Sequence, residues 1–196
     1  KVLKETVLLS PAPFEHDRSL PVSLFRVLAE HEINLPYVTC VLENSGRWQV
    51  NMAVDFKDAR PSCRLLSKTL NRSCEQQSSA AILSIFPHRK KPAITGAVFE
   101  AFVREGIHPK AVAHSPSAIS VVLKEQHLLQ ASSALFGPFD FGAYRTPADW
   151  KLAQKGKEKL FKEVVASYQE KHPKIYGLEY QDHQELFHIT LAPSNM

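Results

Sequence analysis

Two short polar stretches carry the side chains best suited to holding a small ligand. The first is Phe14-Glu15-His16-Asp17-Arg18-Ser19, between an apolar run at Val2 to Leu9 and a helical pattern. The second is His88-Arg89-Lys90-Lys91, between the run Ile82 to Phe86 and Pro92. Glu15 and Asp17 suit an ammonium group. Arg18 or Ser19 suits a carboxylate, since backbone N–H groups at a helix start favour anions. Arg89, Lys90 and Lys91 likewise suit an anion. Val38-Thr39 and His114-Ser115, on strands expected to face these loops, supply a second wall to each site.

Other chemistries find less support. None of the nine histidines has a recognisable ligand spacing, so neither a metal nor a cofactor is expected. G-x-S-x-G and other catalytic motifs are absent, which argues against an enzyme. The cysteines, Cys40, Cys63 and Cys74, are odd in number and form no C-x-x-C, as suits a reducing cytoplasm better than a disulfide framework. No apolar run reaches the roughly 20 residues that span a bilayer, and no signal peptide is visible. The net charge of +4 is too small to argue for nucleic acid. Lys151, Lys155, Lys159 and Lys162 form one basic stripe on an expected tail helix. It suits an acidic partner or a nucleic-acid backbone, but Glu158, Glu163 and Glu170 offset it.

The elements that position the two loops follow from periodicity. Val2 to Leu9 reads as a strand and Pro11 to Arg18 as a loop. Ser19 and Pro21 open a helix with Leu24, Phe25, Leu28 and Ala29 on one face. Tyr37 to Leu42 and Trp48 to Phe56 form a hairpin around Asn44-Ser45-Gly46. In its second strand Trp48, Val50, Met52 and Val54 share one face and the other is wet, which suggests a sheet covered on one side. Asp58 caps a helix to about Leu70, with Cys63, Leu66 and Leu70 inward. Asn71 to Ser79 reads as a polar linker.

The pattern then restarts. Ile82 to Phe86 is a strand, and Pro92 opens a helix carrying Ile94, Val98 and Phe102, with Phe99 and Val103 beside them. Gly106 fits its C′ position. Strands from Pro109 to His114 and Ile119 to Leu123 follow, then a helix from Gln126 to Phe136 and a closing strand at Phe139 to Phe141. Leu24, Phe25, Leu28, Ile33 and Val38 align with Val98, Phe99, Phe102, Ile107 and Val112 at one constant separation, which indicates an internal duplication. Each copy has the order β-α-β-β-α, one strand short of the ferredoxin-like βαββαβ motif. The expected organisation is therefore α+β: unit one at 1–78, unit two at 79–142, and a tail at 143–196. The tail reads as a helix from about Ala148 to Lys171 and a β-hairpin, Ile175 to Tyr180 and Glu185 to Leu191, one strand of which could complete the first sheet.

Paired units of this kind resemble ACT domains, and most closely the tandem regulatory half of aspartate kinases. The matching residues are Pro92, Val98-Phe99-Glu100-Ala101-Phe102, Gly106-Ile107-His108 and Ser115 to Ser120, within a likeness that covers about residues 1–142. The resemblance implies tandem ferredoxin-like units, antiparallel sheets with helices on one face, and a non-catalytic regulatory role. It also implies an amino acid or related metabolite as ligand at the two loops, and a homodimer joined through sheet edges. No kinase half is visible. Glycine-free loops and a first residue other than Met motivate a second reading: an assembly or docking module, or a regulatory fragment of a longer aspartate-kinase-like enzyme.

Overall fold

The computed structural model describes residues 2–15, 20–86, 92–115 and 118–136. All of them fall in one compact unit, Lys1–Trp150. The tail helix and hairpin, the strand at Phe139 to Phe141 and the lysine stripe lie outside the described residues. The elements are β1 (Val2–Pro11), β2 (Phe14–Glu15), α1 (Leu20–Glu30), β3 (Tyr37–Leu42), β4 (Arg47–Asp55), α2 (Ala59–Leu70), β5 (Cys74–Ile85), α3 (Pro92–Arg104), β6 (Ala111–His114), β7 (Ile119–Lys124) and α4 (Leu128–Leu135). A 3₁₀ turn leads into α2 and another into α4.

The seven strands make one antiparallel sheet in the order β4-β1-β5-β7-β6, with both β2 and β3 against β4. The duplication is visible in its register. Val7 pairs with Val54 and Leu9 with Met52; Ala81 pairs with Leu123 and Leu83 with Val121. Tyr37 pairs with Ala53, and Ala111 with Val122. Leu24 and Val98 are buried at equivalent places, one in each core. The hairpins differ in length, Tyr37–Asp55 against Ala111–Lys124.

Helices α1 and α2 bury Leu24, Leu28, Cys63 and Leu66 against one half of the sheet, while α3 and α4 bury Val98, Phe102, Leu128 and Leu135 against the other. Ala29 and Val103 face outward, and Ala101 takes an inward place beside Val98. Both first helices end alike. Ile33 N–H donates to the Leu28 carbonyl and Ile107 N–H to that of Phe102, with Glu32 (φ 52°) and Gly106 (φ 64°) in the left-handed region.

Two expectations need correction. Cys74–Ser79 is not linker but the first half of β5, where Cys74 to Gln77 pairs with Pro11 to Leu8. Its backbone completes the ladder although its side chains are polar, so apolar periodicity misses it. β5 is thus both the fourth strand of the first unit and the first strand of the second. β1 plays the reciprocal part, paired with β4 on one side and β5 on the other.

Nor is the far side of the sheet wet throughout. β3 and β6 come within 8 Å (Cα–Cα), and Leu8, Tyr37, Ala53, Ala80, Ile82 and Val122 form a third buried cluster on this inner face. Two bulges at the junction accompany the curvature. One extra residue in β1 and one in β5 flank the Thr6–Ala80 pair, with Glu5 and Ser79 at positive φ. At the pseudo-twofold centre the buried Thr6 hydroxyl donates to the Ala80 carbonyl at 2.8 Å, across a separation of 74 residues.

Two local expectations also differ. Phe14–Glu15 is a short strand that continues β1 past a proline kink and pairs with Trp48 and Arg47, instead of a loop. Asp58 begins α2 without a side-chain cap; Ser62 donates to its carbonyl instead.

Candidate functional site at the loop ends of the two units

β1 and β5 run antiparallel, with Val2 beside Leu83 and Pro11 beside Cys74. The two loops therefore leave opposite ends of the central pair. The two candidate sites are therefore separate. His16, Asp17, Arg18 and Ser19 lie outside the described residues, as do His88, Arg89, Lys90 and Lys91.

In the first unit Phe14 is buried in the core, 2% exposed, while Glu15 is exposed. Phe14 thus anchors the loop. By register Leu42 lies across β4 from Phe14, whereas Val38 lies across β4 from Leu9. Val38 and Thr39 therefore sit several rungs back from where the loop departs, and Val41 and Leu42 are nearer to it. Behind them the Ser10 hydroxyl donates to Asn51 Oδ1 at 2.8 Å.

In the second unit the arrangement is tighter. His114 lies across Ile119 from Ile85, the last residue of β5, so His114 and Ser115 stand at the end from which the chain leaves for residues 88–91. His114 shares the helix-side face with Val112 and alternates with Ala113, which lines the inner face. Thr95, in the first turn of α3, has a buried hydroxyl with no hydrogen-bond partner among the described residues. An unsatisfied buried hydroxyl costs free energy unless something polar meets it. Ser84 and Ser120 hydroxyls meet at 2.9 Å, at the positions equivalent to Ser10 and Asn51. Neither Thr95 nor these polar pairs had a sequence signal beyond the duplication itself.

Among the described residues, two thiols and one phenol are shifted, all upward. Burial pushes the Cys40 thiol up. Burial, then the adjacent Cys63 thiol, pushes Cys74 up to about 12, against a lowering hydrogen bond with the Ser10 backbone. Both thiols are thereby held away from the reactive thiolate. Cys63 Sγ donates to the Cys74 carbonyl at 3.2 Å. Tyr37 is raised to about 12 by burial, partly offset by the Thr39 hydroxyl. Among the described residues no three His, Cys, Asp or Glu side chains converge on a metal-sized site.

No protein-family model matches the sequence, and no curated protein matches it. Solved structures do. The ligand-free regulatory subunit of aspartate kinase from Thermus thermophilus superposes with a TM-score of 0.65 at 18% identity, over 71% of this chain and 96% of that one. This chain has the aspartate kinase regulatory fold, an ACT-type architecture. The Synechocystis aspartate kinase shares the fold at a TM-score of 0.63 and 19% identity, over 70% of this chain but only 26% of that longer one. E. coli aspartokinase III, solved in complex with lysine and aspartate in its T-state, matches at a TM-score of 0.54 and 16% identity, over 71% of this chain and 32% of that one. At these identities the likeness is one of fold. Among the described residues no helix is long and apolar enough to cross a membrane.

Proposed function

We propose that this chain is a non-catalytic regulatory protein that binds an amino acid or related small metabolite at the loop ends of its units. The observation that carries this reading is the duplicated unit with the aspartate kinase regulatory fold. In each copy a polar stretch of sequence follows a strand end, and among the described residues burial holds the Cys40 and Cys74 thiols in the protonated form. In the second unit Arg89, Lys90 and Lys91 attract the carboxylate, with His114, Ser115 and the Thr95 hydroxyl as the other wall. In the first unit Asp17 and Glu15 take the ammonium group and Arg18 and Ser19 the carboxylate. E. coli aspartokinase III, with lysine bound, supplies the ligand class. Free thiols at Cys40, Cys63 and Cys74 suit a cytoplasmic setting. The outer strands β3 and β6 offer edges for a homodimer.

A thermal-shift screen of the full chain against the amino acids tests the reading. A ligand at 100 times its Kd stabilises by about 2.7 kcal/mol, which for a chain of this size raises Tm by roughly 5–10 °C. A saturable rise with at least one amino acid is the expected outcome. No shift with any of them overturns the reading.

The match to nearly the whole of a separate regulatory subunit favours a second role, assembly with a distinct catalytic chain. Co-purification with an aspartate kinase catalytic chain, and its loss on charge reversal at the exposed β3 edge, checks this.

A further inference from the structure

A cleft of about 290 Å³ opens on the inner face where the two units meet. Its polar walls are Glu75, Gln77, Ser78 and Ser79 of β5, Lys124 of β7, and Lys110, which precedes β6. It lies away from both loops, halfway along β5. Ser78 and Ser79 have no partner in the β1 or β7 register, because the bulge lifts them out of the ladder between the Leu8–Gln77 and Thr6–Ala80 pairs. Both residues are exposed on the cleft wall. Lys110 is fixed by its own N–H, which donates to the Val122 carbonyl at 2.7 Å. Glu75 accepts from Gln77 Nε2 at 3.2 Å, which holds its carboxylate on the cleft wall.

The charge pattern of the cleft belongs to one copy only. The positions equivalent to Ser79, Lys110 and Lys124 in the first unit are Glu5, Pro36 and Asp55, so the charge there is reversed. A volume just below the roughly 300–1,000 Å³ range of drug-sized ligand pockets admits a molecule of amino-acid size. Two ammonium groups and one carboxylate are complemented by two negative charges and one positive.

We propose that this cleft binds an amino acid with an acidic side chain: Lys110 and Lys124 take its two carboxylates, Glu75 its α-ammonium group, and Ser78 and Ser79 donate to the bound oxygens. The site touches β1, the shared strand β5 and the second hairpin at once, so occupancy there braces the junction between the units. It is independent of the loop sites.

Isothermal titration of the full chain with L-glutamate and L-aspartate tests the proposal, with succinate and L-alanine as probes that each lack part of the charge pattern. Saturable binding of one acidic amino acid is expected, with succinate and L-alanine at least about tenfold weaker. Lys110→Ala and Lys124→Ala each weaken it about tenfold or more, as for a hydrogen bond to a charged group. Glu75→Gln weakens the amino acid without weakening succinate. All three side chains are exposed, so these variants keep the wild-type Tm and circular dichroism. No saturable binding, unchanged affinity in the lysine variants, or succinate binding as tightly as L-glutamate overturns the assignment. So does binding that is lost with Arg18→Ala or Arg89→Ala but kept in the cleft variants.

Discussion

Glu32 and Gly106 close α1 and α3 in the same backbone state but with different residues, so opposite substitutions have opposite effects. Both sit in the left-handed region, and both precede an isoleucine whose N–H caps the helix, at 3.0 Å in the first unit and 2.8 Å in the second. A residue with a Cβ in this conformation costs about 1–2 kcal/mol. Glycine returns part of this, about 0.4–1 kcal/mol, through the greater freedom of the unfolded chain. Glu32→Gly therefore stabilises by about 0.5–1 kcal/mol, and Gly106→Ala destabilises by the same amount. A Cβ at Gly106 meets nothing within 4 Å, so its cost is one of backbone alone. Each change moves Tm by roughly 1–4 °C. Glu32→Ala, which loses the charge but keeps the Cβ, leaves Tm near wild type. Urea unfolding and calorimetry read all three. A loss of stability in Glu32→Gly, or no loss in Gly106→Ala, refutes the equivalence of the two helix ends.

Further outcomes follow from the shared strands. Thr6→Val leaves the buried Ala80 carbonyl without its donor and costs about 1–3 kcal/mol in urea unfolding; Thr6→Ser, which keeps the hydroxyl, costs less. Leu28→Ala and Phe102→Ala, equivalent core truncations, cost about 2–5 and 3–5 kcal/mol respectively. Each lowers a single calorimetric transition, because β1 and β5 belong to both units; two separated transitions would contradict the shared-strand topology. Tyr37 contributes stability that is present below pH 10 and lost as pH rises towards about 12, since its folded-state value is raised. Tyr37→Phe flattens the fall in Tm between pH 9 and 11 without removing the part due to Cys74.

Most of the fold was legible in the sequence because helix and strand periods repeat at a constant separation, and the apolar pairs Leu24/Val98 and Leu28/Phe102 occupy matching core places. The shared strand was not. Glu75, Gln76 and Gln77 look like linker, and only their backbone joins the ladder. The buried inner face was hidden for a related reason: Ala53, Ala80, Ala111 and Ala113 are too small to register as an apolar stripe. Nor does Glu5 or Ser79 advertise a bulge, since neither is glycine. Of the candidate site, the register sets His114 across Ile119 from Ile85 at the end of β5, whereas Val38 pairs with Met52, well before the Phe14–Trp48 pair. One proline-kinked turn moves Phe14 into the core, where it pairs with Trp48.

Hydrogen–deuterium exchange on the full chain, with and without the amino acid that raises Tm, tests the central claim most directly. Slowed exchange is expected in 16–19 or 88–91 together with the facing strand ends, Val41–Leu42 or His114–Ser115. Unchanged exchange at both loops under saturating ligand would contradict it.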